Sequence, residues 1–310
     1  MTNTIRVNDA RSIAVDTVGD GMPVFLLHGT PGSRLGPIPR ASVLYHLGVK
    51  LVCYDRPGYG GSTRQRGRTV ADAAGDVRGI ADALGLDKFC VVGRSGGGPH
   101  AMACAAQLGD RVLNTAILVG IAPKDADGLD WYAGMTESNV SEYGRADPAE
   151  VEADLTRRAE QIRRDPESLI ESLFPELTAP DRRVVDDVAI RRQLIDTYAE
   201  ACRNGAGGWI DDVLAFRRPW GFDPSDIRAP VLFWHGAEDV FSPVKHTFWL
   251  ASQLPGRRVE VKVQPDAAHF NAVEVLPSVL AEVLKVAVQD GRGSSVPSSR
   301  RPPRDEPIFA

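Results

Sequence analysis

The chain has 310 residues, of which 43% are hydrophobic and 25% are charged, and its formal net charge is -5 at pH 7. This composition is typical of an ordinary globular protein with room for a sizeable core. An acidic balance argues against nucleic acid as a partner, and no apolar run is long enough to suggest a membrane as one.

The start of the chain and its cysteines bear on the compartment. The first four residues, Met-Thr-Asn-Thr, are polar and lack the apolar core of a signal peptide. The four cysteines are scattered, and no pair has the C-x-x-C spacing of a zinc site. We therefore expect free thiols in a reducing cytoplasm and no bound metal.

Strands and helices alternate along the first part of the chain. Two short strands, at 5–7 and 12–18, predict a hairpin at a sheet edge. Four apolar strands follow at 23–27, 49–54, 89–93 and 112–119, with helices at 40–47, at 69–84 (with Thr69 as its N-cap) and after residue 95. Apolar strands that alternate with helices predict an α/β fold with a mostly parallel, doubly wound sheet.

The alternation stops between residues 122 and 227, where no strand is indicated. This stretch is predicted to be helical, and its three clearest helices are 148–164, 181–203 and 209–216. A helical insertion of this length between two strands of one sheet predicts a cap rather than a linker.

Strand signals return after the insertion. Strands are predicted at 230–234 and 259–263, and helices at 244–254 and 272–288. We therefore expect a core formed by residues 1–121 and 228–290, with an inserted helical cap at 122–227. Residues 291–310 are polar and rich in proline, which predicts a disordered tail.

A G-x-S-x-G pattern, Gly93-Arg94-Ser95-Gly96-Gly97, lies between a predicted strand and the helix after it. Side chains at the glycine positions would collide in so sharp a turn, and Ser95 is expected in an unfavourable backbone conformation. The turn would also aim the N–H of Gly96 at the space above Ser95, where an oxyanion would form. The alternative is a glycine-rich turn with an incidental serine.

A serine hydroxyl needs a base before it can act as a nucleophile. His269 is the predicted base because it follows the last predicted strand, and loops at the carboxyl ends of parallel strands meet over one site. Of the other five histidines, His46 and His246 are expected at the surface, and His28, His100 and His235 are expected to have structural roles.

The base in turn needs a carboxylate that fixes its tautomer. Asp239 is the predicted acid because it follows the strand at 230–234 in a segment rich in turn residues. Its neighbour Glu238 and the earlier Asp125 remain alternatives. The order Ser95, Asp239, His269 is the order found in α/β-hydrolases.

Five motifs together resemble the α/β-hydrolase fold superfamily. They are His28-Gly29-Thr30-Pro31-Gly32, Tyr54-Asp-Arg-Pro-Gly-Tyr-Gly-Gly-Ser62, Gly93-Arg-Ser-Gly-Gly97, Gly236-Ala-Glu-Asp239 and Ala268-His-Phe270. The resemblance spans about residues 5 to 289. It implies Ser95 as nucleophile, His269 as base, Asp239 as the orienting acid, and an oxyanion hole made by the backbone N–H groups of Thr30 and Gly96.

The turn at Thr30 supports that assignment independently. A Gly-Thr-Pro-Gly turn after a strand exposes a backbone N–H beside the Ser95 bend, and Pro31 has no N–H to donate. Next to the nucleophile, Arg94 has two open interpretations: it points away beneath the turn, or it binds a substrate carboxylate. Asp55 and Arg56 are expected to fix the loop that contains them.

Aromatic residues suggest what the substrate is like. Trp131, Trp209, Phe241 and Phe270 are candidates for substrate contacts, although the cap aromatics could equally form the core of the cap. An aromatic lining favours a substrate with an apolar body.

These features predict a serine hydrolase that acts through an acyl-enzyme on an ester or lactone of a small, partly apolar molecule. A C–C bond hydrolase or aminopeptidase of the same fold, a ligand-binding protein, and a cofactor-free catalyst on this scaffold remain alternatives. The resemblance argues against epoxide hydrolases and haloalkane dehalogenases, which have an aspartate where this chain has Ser95. No cofactor is expected, and a homodimer is possible.

Overall fold

The computed structural model describes residues 3–7, 11–254 and 258–289, so the predicted tail at 291–310 lies outside the described residues. The strands are β1 (Asn3–Arg6), β2 (Ser12–Gly19), β3 (Met22–Leu27), β4 (Val49–Tyr54), β5 (Phe89–Arg94), β6 (Val112–Leu118), β7 (Val231–Gly236) and β8 (Val259–Gln264). The helices are α1 (Ala41–Leu47), α2 (Ala73–Ala83), α3 (Gly97–Gln107), α4 (Glu137–Gly144), α5 (Pro148–Arg164), α6 (Ser168–Leu173), α7 (Ala179–Val185), α8 (Val188–Cys202), α9 (Gly207–Phe216), α10 (Lys245–Ser252), α11 (Asn271–Glu274) and α12 (Leu276–Gln289).

The eight strands form one sheet in the order β1-β2-β4-β3-β5-β6-β7-β8. Strands β3 to β8 run parallel to one another. The antiparallel pairs are β1 with β2 and β2 with β4. The α/β fold with a mostly parallel sheet is therefore confirmed, and the predicted hairpin occupies one edge.

Successive side chains of a strand extend to opposite faces of the sheet, and both faces are covered here. The central strands are therefore apolar throughout. Phe25 of β3 points to the face covered by α2 and α3, where its ring packs against that of Phe89 with 4.8 Å between the centroids. Leu26 points to the other face, which is covered by α1 and α12. The sheet is thus buried between two helical layers, and its carboxyl edge carries the site.

Six helices, α4 to α9, lie between β6 and β7 and occupy the predicted cap region. The helix α5 begins and ends at the predicted residues; its buried positions Val151, Leu155, Ala159 and Ile162 recur at helical spacing. The short helices α4 and α6 were not predicted. In the described part of the chain, no helix combines the length and apolarity needed to span a membrane.

Three predicted helices differ from the structure, and the first of them is the final helix predicted at 272–288, which is divided at Val275 into α11 and α12. The predicted helix at 181–203 is two helices, because Asp187 leaves the helical conformation and its carboxylate accepts the N–H groups of Ala189 and Ile190. That N-cap starts α8 anew. The predicted cap at Thr69 is also wrong: its N–H and hydroxyl donate to Asp72, and α2 begins after Asp72.

Candidate active site

Ser95 sits on a sharp turn between β5 and α3. Its φ is 53°, in the left-handed region that side chains rarely adopt. The glycines around it are required by space, since a Cβ on Gly93 would lie 2.3 Å from the Gly97 carbonyl oxygen. A Cβ on Gly97 would lie 2.1 Å from the carbonyl oxygen of Leu27. The strand-turn-helix arrangement inferred from the sequence is therefore present.

The structure brings Ser95, His269 and Asp239 together from the ends of three strands. The His269 Nε2 lies 3.0 Å from the Ser95 hydroxyl oxygen. On the other side of the ring, Nδ1 lies 2.8 Å from Oδ2 of Asp239. Both distances allow hydrogen bonds, so a proton could pass from Ser95 to His269 while Asp239 holds Nδ1–H.

Short-range hydrogen bonds fix the Asp239 carboxylate. Its Oδ1 accepts the backbone N–H groups of Phe241 at 2.8 Å and Ser242 at 2.9 Å. His235 Nε2 lies 3.2 Å from Oδ2, the oxygen that faces His269. Asp239 is buried, and these partners leave its carboxylate one orientation.

Burial and the Asp239 carboxylate shift the pKa of His269 in opposite directions. Burial by itself would lower the pKa of His269, but the nearby Asp239 carboxylate raises it above its usual value. Burial would raise the pKa of Asp239, but His269 and the hydrogen bond from His235 lower it well below its usual range. Asp239 therefore stays ionised and stabilises the charged form of His269.

Thr30 and Gly96 lie side by side next to Ser95. A Cβ on Gly96 would fall 2.3 Å from the Thr30 hydroxyl oxygen, so the two residues are in close contact. Neither backbone N–H has a protein acceptor within the described residues. Two free N–H groups beside the nucleophile suit an oxyanion hole.

A buried carboxylate that the sequence reasoning missed joins α9 of the cap to the loop after β3. Asp212 accepts a 2.7 Å hydrogen bond from the Thr30 hydroxyl and a 2.8 Å bond from Tyr59. It also pairs with Arg56 and Arg68, each at 2.5 Å. Burial would raise the pKa of Asp212, but the two guanidinium groups hold it well below its usual range.

We expect Asp212→Asn to lower the free energy of unfolding by about 3 kcal/mol, because two buried guanidinium groups lose their counter-charge. Asp211 on the same helix is the matched control, since its partner Arg64 is 24% exposed and can turn to water. Asp211→Asn should cost about 1 kcal/mol or less. Urea unfolding of the three proteins measures the difference, and equal losses would contradict this role of Asp212.

The other candidates for base and acid lie elsewhere. His28, His100 and His235 are buried and hydrogen bonded, and His46 is exposed, as expected. The expectation for His246 is wrong: it is buried, with the Ala122 N–H donating to Nδ1 and the Trp131 carbonyl beside Nε2. Glu238 and Asp125 are exposed and have no contact with His269.

The loop at Asp55 and Arg56 is fixed by its own hydrogen bonds. Asp55 pairs with Arg34 at 2.6 Å and accepts the N–H of Gly61 at 2.9 Å. Arg56 donates to the carbonyl oxygens of His28 and Gly29. Both residues therefore brace the loops that hold Thr30, in line with the expected structural role.

A cavity opens above Ser95, between the sheet edge and the cap. Its wall includes Trp209 of α9, Tyr143 of α4, and Phe241 and Phe270 from the loops beside His269. Trp131 does not line the cavity, which corrects the expected substrate contact. Its ring nitrogen donates to the Ala122 carbonyl and it packs against His246, so it belongs to the core.

Among the described residues, no group of three or more histidine, cysteine, aspartate or glutamate side chains is arranged to hold a metal ion. The polar groups around Ser95 are its own hydroxyl, the His269 imidazole with the buried Asp239 carboxylate behind it, and two backbone N–H groups. Such a set can take a proton from a nucleophile and stabilise a developing oxyanion.

Comparison with known proteins supports the fold. A family model described as alpha/beta hydrolase fold matches residues 22–274. The chain is 30% identical over 257 residues to 2-hydroxy-6-oxo-2,4-heptadienoate hydrolase from Pseudomonas putida, covering 79% of this chain and 82% of that protein. A thermophilic esterase from Thermogutta terrifontis has a similar structure, with a TM-score of 0.67, 22% identity, and coverage of 94% of this chain and 100% of that chain.

One further relative extends beyond the region that matches this chain. The chain is 27% identical over 263 residues to the dihydrolipoyllysine-residue acetyltransferase component of the acetoin cleaving system from Cupriavidus necator. The match covers 83% of this chain and 61% of that protein.

Proposed function

Because this chain belongs to the alpha/beta hydrolase fold family, we propose that it is a serine hydrolase that cleaves an ester or lactone of a small, partly apolar molecule. The observation that carries this proposal is the 3.0 Å contact between the His269 Nε2 and the Ser95 hydroxyl oxygen, with Asp239 on the far side of the ring.

In the proposed first step, the Ser95 oxygen attacks the substrate carbonyl and His269 takes the hydroxyl proton. The carbonyl oxygen becomes an oxyanion that accepts hydrogen bonds from the N–H groups of Thr30 and Gly96. His269 then gives its proton to the leaving alcohol, and an ester of Ser95 remains. A water molecule deprotonated by His269 releases the acid and restores Ser95.

The cavity wall supports a small substrate with an apolar part. Trp209, Phe241 and Phe270 offer aromatic surface near the reacting groups, which favours an acyl or alcohol group of several carbon atoms. Acyl transfer by this route uses only groups of the chain and water, so the proposal requires no cofactor.

A second candidate is the hydrolysis of a C–C bond beside a ketone. It is favoured by the similarity to 2-hydroxy-6-oxo-2,4-heptadienoate hydrolase, whose name describes a substrate with a keto group. The same base and oxyanion donors could serve that reaction. A ligand-binding protein on this scaffold is the alternative from another class, and it would bind esters without turning them over.

Turnover of a p-nitrophenyl ester series from acetate to octanoate tests the proposal. We expect a burst of p-nitrophenol close to one equivalent per chain, followed by slower steady turnover, because p-nitrophenol is a good leaving group and the acyl-enzyme forms faster than water hydrolyses it. Lactones and a 2-hydroxy-6-oxo-dienoate are assayed beside them. Saturable binding of the esters without release of p-nitrophenol would favour the ligand-binding alternative.

A further inference from the structure

Arg94 places a positive charge on the wall of the cavity, directly before Ser95 in the chain. Side chains alternate between the faces of a strand, so the Arg94 side chain extends from the same face of β5 as Val92. It lines the cavity close to Pro37 and, on α8 of the cap, Leu194 and Tyr198.

Most hydrogen-bonding capacity of this guanidinium is unused. Nη1 donates to the Pro37 carbonyl oxygen at 3.2 Å, and no further acceptor is found for Arg94 in the part of the chain that the structure describes. An arginine has five N–H donors, so four are left. Arg94 is half-buried and lines the cavity, and Nε and Nη2 keep some exposed surface.

The charge of Arg94 is not balanced by the protein. Within the described residues, no carboxylate forms an ion pair with it, and its titratable neighbours are Tyr198, Cys53 and His269, none of which is an anion. Burial lowers the pKa of Arg94. A cation held away from water without a counter-charge is costly, and a bound anion would offset that cost.

The other arginines near the site are paired with carboxylates. Arg158, on the opposite wall of the cavity, pairs with Glu142 at 2.6 Å. Arg56 and Arg68 both pair with Asp212. Arg94 therefore stands out as a cavity-facing guanidinium whose counter-ion has to come from outside the chain.

We propose that Arg94 forms an anion subsite and that the substrate carries a carboxylate close to the bond that is cleaved. A guanidinium binds a carboxylate through two parallel N–H donors. Because Arg94, Ser95 and His269 line the same cavity, one small substrate can reach both the guanidinium and the attacking hydroxyl. This inference rests on the proposed hydrolase function and specifies its substrate class.

The test compares acidic and neutral esters on the same enzyme sample. Mono-p-nitrophenyl glutarate and p-nitrophenyl pentanoate place the charge on the acyl side, and 4-butyryloxybenzoate and its methyl ester place it on the leaving group. For one of the two pairs, we expect the wild type to have a higher kcat/KM for the acidic ester than for the neutral one. In Arg94→Met, this acidic-to-neutral ratio of kcat/KM should fall about 10- to 100-fold. Arg94→Lys should retain part of the preference.

The ratio does not depend on how much of a variant is folded. A ratio that stays within twofold in Arg94→Met for both pairs would overturn the anion subsite while leaving the hydrolase function intact. Absence of turnover of all four esters would instead contradict the proposed function.

Binding to the wild-type protein gives a second test that requires no variant and no turnover. Pentanoate and pentanamide have the same carbon skeleton, but only pentanoate carries a negative charge, so titration calorimetry of both isolates the contribution of the charge. We expect pentanoate to bind at least tenfold more tightly than pentanamide at low ionic strength, with the difference reduced by added salt. Equal affinities would overturn the proposal.

Discussion

Replacing Ser95 with alanine is expected to lower kcat/KM for ester hydrolysis on the order of 10⁶-fold, because the acyl-enzyme can no longer form. The remaining rate would come from the oxyanion donors and the cavity. Long-incubation endpoint assays, with the p-nitrophenyl ester that the wild type hydrolyses fastest, measure the residual kcat/KM.

His269→Ala should cause a loss of similar size, and the double variant should lose little more than either single one, because the two groups act as one unit. Ser138, a serine that also lines the cavity, provides the matched control. Ser138→Ala should change kcat/KM far less than Ser95→Ala. Comparable losses for both serines would contradict the assignment of Ser95 as nucleophile.

Asp239→Asn is expected to lower kcat/KM about 10⁴-fold, since an amide in place of the carboxylate no longer holds His269 in the productive tautomer. The pH dependence should change as well. His269 accepts a proton only when neutral, so kcat/KM of the wild type rises as pH increases through its raised pKa. Without the carboxylate that pKa falls, and the acid limb should move to lower pH.

The neighbouring residue gives the control for this prediction. Glu238 is exposed, and it adjoins Asp239 without touching His269. Glu238→Gln should keep the wild-type acid limb and rate. A pH profile of Asp239→Asn that is unshifted or shifted to higher pH would contradict the role of Asp239.

The sheet and the meeting of Ser95, His269 and Asp239 at its edge could be predicted because their signals are local. Apolar strands that alternate with helices fix a parallel sheet, and a parallel sheet gathers the loops after its strands at one edge. Ser95 and His269 follow two such strands and lie 3.0 Å apart through Oγ and Nε2. Asp239 comes shortly after the end of β7, so the same rule places it at this edge of the sheet.

The Asp212 cluster could not be predicted, because its members are brought together only by the docking of the cap. Asp212 is about 150 positions from Arg56 along the chain, and their pairing is a property of tertiary structure. Periodicity shows that α9 is a helix without showing what its polar residues meet. The only hint was two adjacent acidic residues, Asp211 and Asp212, within an apolar helix.

Three further errors have a common cause in side-chain contacts. The break between α7 and α8 depends on the Asp187 side chain, which competes with the helix by capping the next one. His246 was expected at the surface because polar helix residues usually lie there, but it satisfies the backbone of Ala122 and Trp131 in the core. Trp131 itself packs against His246 rather than lining the cavity.

The central claim is that the hydroxyl of Ser95 attacks an electrophile with the help of His269. Intact-mass measurement after incubation with an alkyl fluorophosphonate tests it most directly, followed by peptide mapping of the modified chain. We predict one phosphonyl group per chain, located on Ser95, with no labelling of Ser95→Ala and greatly slowed labelling of His269→Ala. Labelling at a different residue, or ester hydrolysis by a protein whose Ser95 stays unmodified, would contradict the account.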